Sequence, residues 1–238
     1  MARFDVPEGW CVQAFRFTLD PTQDQACALA RHFGARRKAY NWAVATLKAD
    51  IEAWHTAGVE TEKPSLRVLR KRWNTVKDDV CVNAETGAAW WRECSKEAYA
   101  DGIAGAVDAF WNWQSSRAGR RAGKRVGFPR FKRKGRDHDR VCFTTGAMRV
   151  ESDRRHLTLP VIGTVRTHEN TRRIERLSGP GGRGCSRSRC AATARVWMRA
   201  CRCLSNAPSN PASRYLVRGS GLMSGCGVWR RWPPLTGW

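Results

Sequence analysis

No acidic residue follows Glu175 in this chain of 238 residues. Residues 178–238 contain no Asp, Glu, Lys or His, yet carry ten Arg, five Cys and four Trp. The preceding 177 positions hold all 21 acids, and at that density about seven would be expected in the remainder. Folded domains intersperse both signs of charge and use Lys as well as Arg. A segment without acids, periodicity or an apolar face cannot offset the ~1–2 kcal/mol per residue that backbone ordering costs. The sequence therefore predicts an aberrant, unstructured tail over residues 178–238.

What precedes the break reads as an α+β body. Residues 12–19 alternate like a half-buried strand. Asp20-Pro21-Thr22-Gln23 reads as a capping-box helix start with Asp20 at the N-cap and Pro21 in the first turn. Apolar residues then recur at Leu29, Phe33, Tyr40, Val44, Leu47, Ile51 and Trp54, the spacing of one amphipathic helix or of a pair broken near Gly34. Ser65 caps a second run through Leu66, Leu69, Trp73 and Val76. A third helix is expected from Ser95 through Tyr99, Ile103, Val107 and Phe110 to about Ser116. After a Gly- and Arg-rich stretch, short strands are expected at 140–144, 148–151, 156–159 and 163–168. The simplest architecture is a small β-barrel interrupted by an inserted helical bundle. Its parts are a first barrel strand within 1–19, the helical region over 20–117, and the rest of the barrel with a basic loop over 118–177.

The formal net charge is +22, from 43 Lys and Arg against 21 Asp and Glu. Such an excess repels itself in a compact state, so nucleic acid is the natural partner. No apolar run approaches the ~18 residues of a membrane span, and Asp5, Pro7 and Glu8 interrupt any signal core at the start. A cytoplasmic setting with reduced cysteines is expected.

The sharpest segment is Val126-Gly127-Phe128-Pro129-Arg130-Phe131-Lys132-Arg133-Lys134-Gly135-Arg136. Aromatic rings alternate with cations, so bases can stack while phosphates pair. The alternative is a solvated basic loop whose Phe128 and Phe131 pack into the body. Arg36, Arg37 and Lys38 form a second basic cluster, and Arg67, Arg70, Lys71 and Arg72 a third; both stand equally as ordinary polar helix faces. Trp90-Trp91 and Trp111-Asn112-Trp113 read as core more than as stacking platforms. Catalytic groupings are thin. Asp137-His138-Asp139 has metal-capable atoms, but adjacent residues rarely converge on one ion. Cys185 to Cys190 and Cys201-Arg202-Cys203 have the wrong spacing for a zinc knuckle.

Four segments resemble the TnpB (OrfB) proteins of insertion sequences: Phe15-Arg16-Phe17-Thr18-Leu19-Asp20-Pro21-Thr22, Tyr40-Asn41-Trp42, Gly127-Phe128-Pro129-Arg130-Phe131-Lys132 and Leu157-Thr158-Leu159-Pro160-Val161-Ile162-Gly163. The resemblance covers about residues 10–177. It implies a wedge-like barrel interrupted by a helix-turn-helix-like recognition lobe. In intact members a RuvC-like nuclease with magnesium and a zinc ribbon follows, and the proteins hold a guide-type structured RNA and cut target DNA. It also implies that Arg130, Lys132, Arg133 and Lys134 contact guide or target backbone, while Arg136, Phe128 and Phe131 of the loop and Arg36, Arg37 and Lys38 on the first helix are candidates from their charge and aromatic pattern alone. Lys96 and Thr144 fall where family members read the duplex.

The nuclease positions have no counterpart, because two-metal chemistry needs carboxylates to hold the cations and none follows Glu175. The expectation is thus an inactive remnant without cofactors: no catalytic residue and no metal ligand. A further regularity suggests how the site was lost. Back-translated with G/C-rich codons and read from the third base, Leu222 and Met223 give GAT, an aspartate, and with chosen third bases the surrounding string becomes Val-Gly-Val-Asp-Val-Gly-Val, the expected catalytic strand, so the tail resembles the right gene in the wrong frame. The competing reading is an autonomous helix-turn-helix DNA-binding protein or repressor that uses the first helices.

Overall fold

A computed structural model describes residues 10–58, 62–83, 85–144, 148–172, 174, 185–191 and 195–203. Strand β1 (Trp10–Asp20) enters helix α1 (Gln23–Ala57) through a cap two residues later than the sequence suggests. Thr22, not Asp20, is the N-cap: its hydroxyl accepts the Gln25 N–H while the Gln25 side chain accepts the Thr22 N–H. The reciprocal pair satisfies two otherwise orphaned donors. α1 then runs 35 residues without a break at Gly34, so of the two expected arrangements the single helix is the one formed. It ends where Gly58 adopts a left-handed φ of 63° and donates to the Trp54 carbonyl.

Helix α2 (Leu66–Val80) starts at Ser65, whose hydroxyl accepts the Val68 N–H. A 3-10 turn at Trp90–Glu93 precedes α3 (Lys96–Arg117). Most of the expected apolar positions are buried, namely Leu29, Phe33, Tyr40, Val44, Leu47 and Ile51 on α1, Leu69 and Trp73 on α2, and Tyr99, Ile103, Val107 and Phe110 on α3; Trp54 and Val76 are half-buried and Leu66 is exposed. α1 and α3 pack so closely that a Cβ on Gly102 would lie 2.3 Å from the Arg36 carbonyl oxygen. Only glycine fits there.

The strands β2 (Arg140–Thr144), β3 (Arg149–Val150), β4 (His156–Leu159) and β5 (Gly163–Thr167) match the expected ones in place and number. Two further strands, β6 (Cys185–Ala191) and β7 (Arg195–Cys203), correct the expectation of a tail unstructured from residue 178. β7 pairs with β1 from Trp10 to Thr18, and β6 lies between β7 and β2. β5 takes only the end of β1, at Leu19 and Asp20, so without β7 most of an 11-residue strand would lie open. Backbone pairing requires neither acids nor an apolar face, and the alternation of Arg with small residues in Cys185-Ser186-Arg187-Ser188-Arg189-Cys190 is a strand period. The remainder of 178–238 lies outside the described residues.

All seven strands form one antiparallel sheet in the order β2-β6-β7-β1-β5-β4-β3. Its two edge strands, β2 and β3, are joined by only four residues, 145–148. Flat, seven strands at ~4.8 Å spacing would hold those edges about 29 Å apart, whereas such a link reaches at most about 18 Å. The sheet must curl, and it does, as a half-barrel. The three helices are inserted between β1 and β2, as the sequence suggests.

His32 ties the helices to one another. It is fully buried; its Nδ1 lies 2.7 Å from the Ala28 carbonyl and its Nε2 accepts the Ser95 N–H at 3.0 Å. A carbonyl only accepts and an amide only donates, so the ring is neutral with its proton on Nδ1. Burial lowers its pKa below the ordinary 6.5, against the opposing pull of the Ala28 carbonyl. The unfolded chain therefore takes up this proton first. Stability is full above pH 6.5 and falls as pH drops below it, by up to about 1.4 kcal/mol per pH unit. Urea unfolding at pH 5 and pH 7 should show this loss in the native chain and a smaller one in His32→Gln, which keeps a neutral donor and acceptor. Equal losses in both would contradict it.

Candidate nucleic-acid interface

The basic loop is irregular in backbone but tied down along its length. Val126 N–H donates to Ser116 Oγ at 2.9 Å. Phe128 packs edge-on against Trp113, with centroids 5.0 Å apart, and Pro129 is buried. Asn41 on α1 then holds Lys132 by both main-chain groups: its Oδ1 accepts the Lys132 N–H at 2.8 Å and its Nδ2 donates to the Lys132 carbonyl at 3.0 Å. An amide matched to a peptide unit in this way copies a β-ladder, so the loop adds one paired residue to the side of a helix. Beyond it, Arg133 N–H donates to Asp137 Oδ2 at 2.9 Å and Asp137 N–H returns to the Arg133 carbonyl at 3.2 Å. Gly135 supplies the positive φ of 79° that this turn requires.

These anchors sort the side chains. Phe128 points into the body, as the packed alternative has it, whereas Phe131 is 52% exposed. Arg130, Arg133, Lys134 and Arg136 are exposed. Lys132 turns inward, its ammonium 4.3 Å from the Tyr40 ring centroid. Burial, and then the charges of Arg36 and Arg140, push its pKa down to about 8. The Arg133 N–H, with the nearby charges of Arg130, Lys132 and Arg136, holds Asp137 below the usual carboxylate range.

The first-helix cluster does not act as one face. Arg36 is buried with its Nε 2.5 Å from Asp101 Oδ2 on α3, so it is a helix-to-helix tie rather than a surface cation. Arg37 pairs with Asp139 just before β2 and brackets the far side of the loop. Lys38 is exposed. Of the third cluster, Arg72 grips Asp50 on α1 with both oxygens in reach, at 3.0 and 2.7 Å, while Arg67, Arg70 and Lys71 are exposed. Lys96 opens α3 and lines a groove of about 980 Å³ with Lys63, Arg70, Trp111 and Cys142 of β2. Thr144 ends β2 opposite Arg187; its side chain lies outside the described residues. Among the tryptophans, Trp73 is buried beside Tyr99, and Trp90, Trp91, Trp111 and Trp113 are half-buried.

The residue that sequence reasoning left without a role is Asn41. It stood within Tyr40-Asn41-Trp42, but nothing local shows an amide reaching 91 positions ahead in the chain. The metal-capable Asp137 and Asp139 are each committed to loop contacts. Among the described residues no group of three or more His, Cys, Asp or Glu is arranged to hold an ion.

Residues 11–55, which span β1 and most of α1, match a family model described as a helix-turn-helix domain of OrfB insertion-sequence proteins. Two proteins from two strains of Mycobacterium tuberculosis, each named as an RNA-guided DNA endonuclease, are 80% identical to this chain over 181 residues. The chain is thus similar to OrfB-type insertion-sequence proteins. The match takes in 76% of this chain and 39% of either relative, so the chain spans about two fifths of their length. The Gly-Phe-Pro-Arg-Phe-Lys block is thus a loop pinned at Phe128, Pro129 and Lys132 that leaves Arg130 and Phe131 outward.

This division of inward and outward cations is measurable. On duplex DNA, Arg130→Ala, Arg133→Ala, Lys134→Ala and Arg136→Ala should each lower the log–log salt slope of binding, by about 0.9 for every phosphate the variant no longer neutralises. Lys132→Met should leave the slope nearly unchanged. Titrations between 50 and 300 mM salt read this directly, and a slope that responds only to Lys132 would reverse the assignment.

Proposed function

We propose that these 238 residues are the nucleic-acid-holding front portion of a TnpB-like, RNA-guided DNA endonuclease, without its nuclease site. The observation that carries the reading is the pinned loop. Four outward cations and an exposed Phe131 stand on a backbone fixed to α1 and α3, which suits phosphate contact combined with base stacking. The net charge of +22 supports a polyanionic partner of more than local extent. The relatives' names supply RNA and DNA as the partners to test.

The residues present do not fit the magnesium site of a RuvC-like nuclease. That chemistry holds two cations between convergent carboxylates, and no Asp or Glu lies beyond Glu175. We infer that the composition break records a change of reading frame. The third-base reading around Leu222 and Met223 supports this, because it restores an aspartate within an alternating string. The alternative, a repressor acting through a helix-turn-helix in the first helices, has the family description in its favour. Against it, α1 passes through the matched segment without a turn.

The purified chain should retain structured RNA and duplex DNA in mobility-shift assays, more weakly as salt rises, and cut neither with or without Mg²⁺. Mg²⁺-dependent strand scission that disappears on substituting an acid of this chain would overturn the inactive reading. Failure to retain either nucleic acid would overturn the reading as a whole.

A further inference from the structure

A second groove, of about 640 Å³, lies between the middle of α1 and the segments that carry Asn83, Trp90–Cys94 and Lys132. Four of its lining residues are cations, Arg31, Arg37, Lys38 and Lys132, against one carboxylate, Glu93. Arg37 is committed to Asp139, and Arg31 shares Glu93 across an exposed 3.5 Å contact. Lys38 is exposed. The remaining walls are the amides of Asn41 and Asn83 together with Gly34, Ala35, Cys94 and Trp90, whose ring leans on Tyr99 at 6.4 Å. The size suits a small ligand rather than a duplex.

Gly34 gives the groove its floor. It sits inside a long helix, where glycine is the least favourable residue after proline, yet a Cβ there would meet no atom within 4 Å. Unlike Gly102, it relieves no clash, and a large side chain at this position would enter the open space of the groove. A flat apolar floor, one indole wall and cations at the margin match an unstacked base with its phosphate.

We propose that this groove receives one unpaired nucleotide of a bound strand, with its base against Trp90 over Gly34 and Ala35, and its phosphate at Lys38 and Arg31. The proposal rests on the reading of the chain as a nucleic-acid holder and adds a second contact beside the loop, with which the groove shares Lys132. RNA and DNA offer the same chemistry here, and the test separates them.

Duplex probes carrying one bulged 5-iodouracil, made as RNA and as DNA, are cross-linked by light to the full chain and the sites mapped by mass spectrometry. Their affinities are compared with those of fully paired probes. The bulged probe should cross-link at Trp90, and whichever of RNA or DNA does so more strongly is the strand held. Gly34→Phe, which fills the floor, should weaken bulged-probe binding about ten-fold or more and leave paired-probe binding unchanged. Lys38→Glu, an exposed change that cannot unsettle the core, should repeat the loss, while Gly34→Ala should bind nearly as the native chain does. Cross-links confined to other segments, or Gly34→Phe and Lys38→Glu both binding the bulge normally, would overturn the groove assignment alone. A native chain that holds neither bulged nor paired probes would overturn the nucleic-acid reading with it.

Discussion

The crossing of α1 over α3 sets the position of everything that faces solvent. At the contact, Gly102 lets the two backbones approach, and the Arg36 guanidinium, buried between them, meets the Asp101 carboxylate. Shut away from water, each charge depends on the other; removing one partner of such a pair typically costs about 3–5 kcal/mol, because the survivor is left uncompensated. His32 adds a second tie one helical turn earlier, accepting the N–H of Ser95, the residue that caps α3. A cation and a histidine on the buried stripe of α1 thus become the fasteners of the helical layer.

That layer is what makes the basic loop a surface rather than a mobile strand of charge. Ordering an irregular segment costs entropy at every residue, and here the anchors are distributed: Ser116 and Trp113 of α3 at one end, Asn41 and Tyr40 of α1 in the middle, and the Arg133–Asp137 turn at the other. Arg37 and Asp139 fasten the return into β2. With the backbone ordered in advance, the outward guanidinium groups would meet the proposed polyanion at little further entropic cost. The lowered pKa of Lys132 shows the other side of the arrangement: a cation used as packing loses part of its charge to burial.

The helices and the short strands were legible because each has a local signal: caps at Thr22 and Ser65, the 3.6-residue recurrence from Leu29 to Ile51, and alternation in β4 and β5. The N-cap slipped from Asp20 to Thr22 because several capping-type residues stand side by side, and the contest is settled by which hydroxyl and amide reach each other. β6 and β7 were missed because acidless, Arg-rich composition was weighed above a period of two and above the open edge of β1. In the candidate interface, the exposed loop cations were legible from composition. The roles of Arg36, Asn41 and Lys132 were not, since each depends on a partner 65 or 91 positions away.

The central claim is that α1 holds the loop in a fixed form before any ligand arrives. Amide hydrogen exchange at Lys132 in the free chain tests it most directly, because that N–H is bonded to Asn41 Oδ1 and lies outside any helix or strand. The account predicts exchange well below the rate of unstructured peptide, rising toward that rate in Asn41→Ala while the amides of α1 and α3 stay protected. Exchange at the free-peptide rate in the native chain, with α1 itself protected, would contradict it.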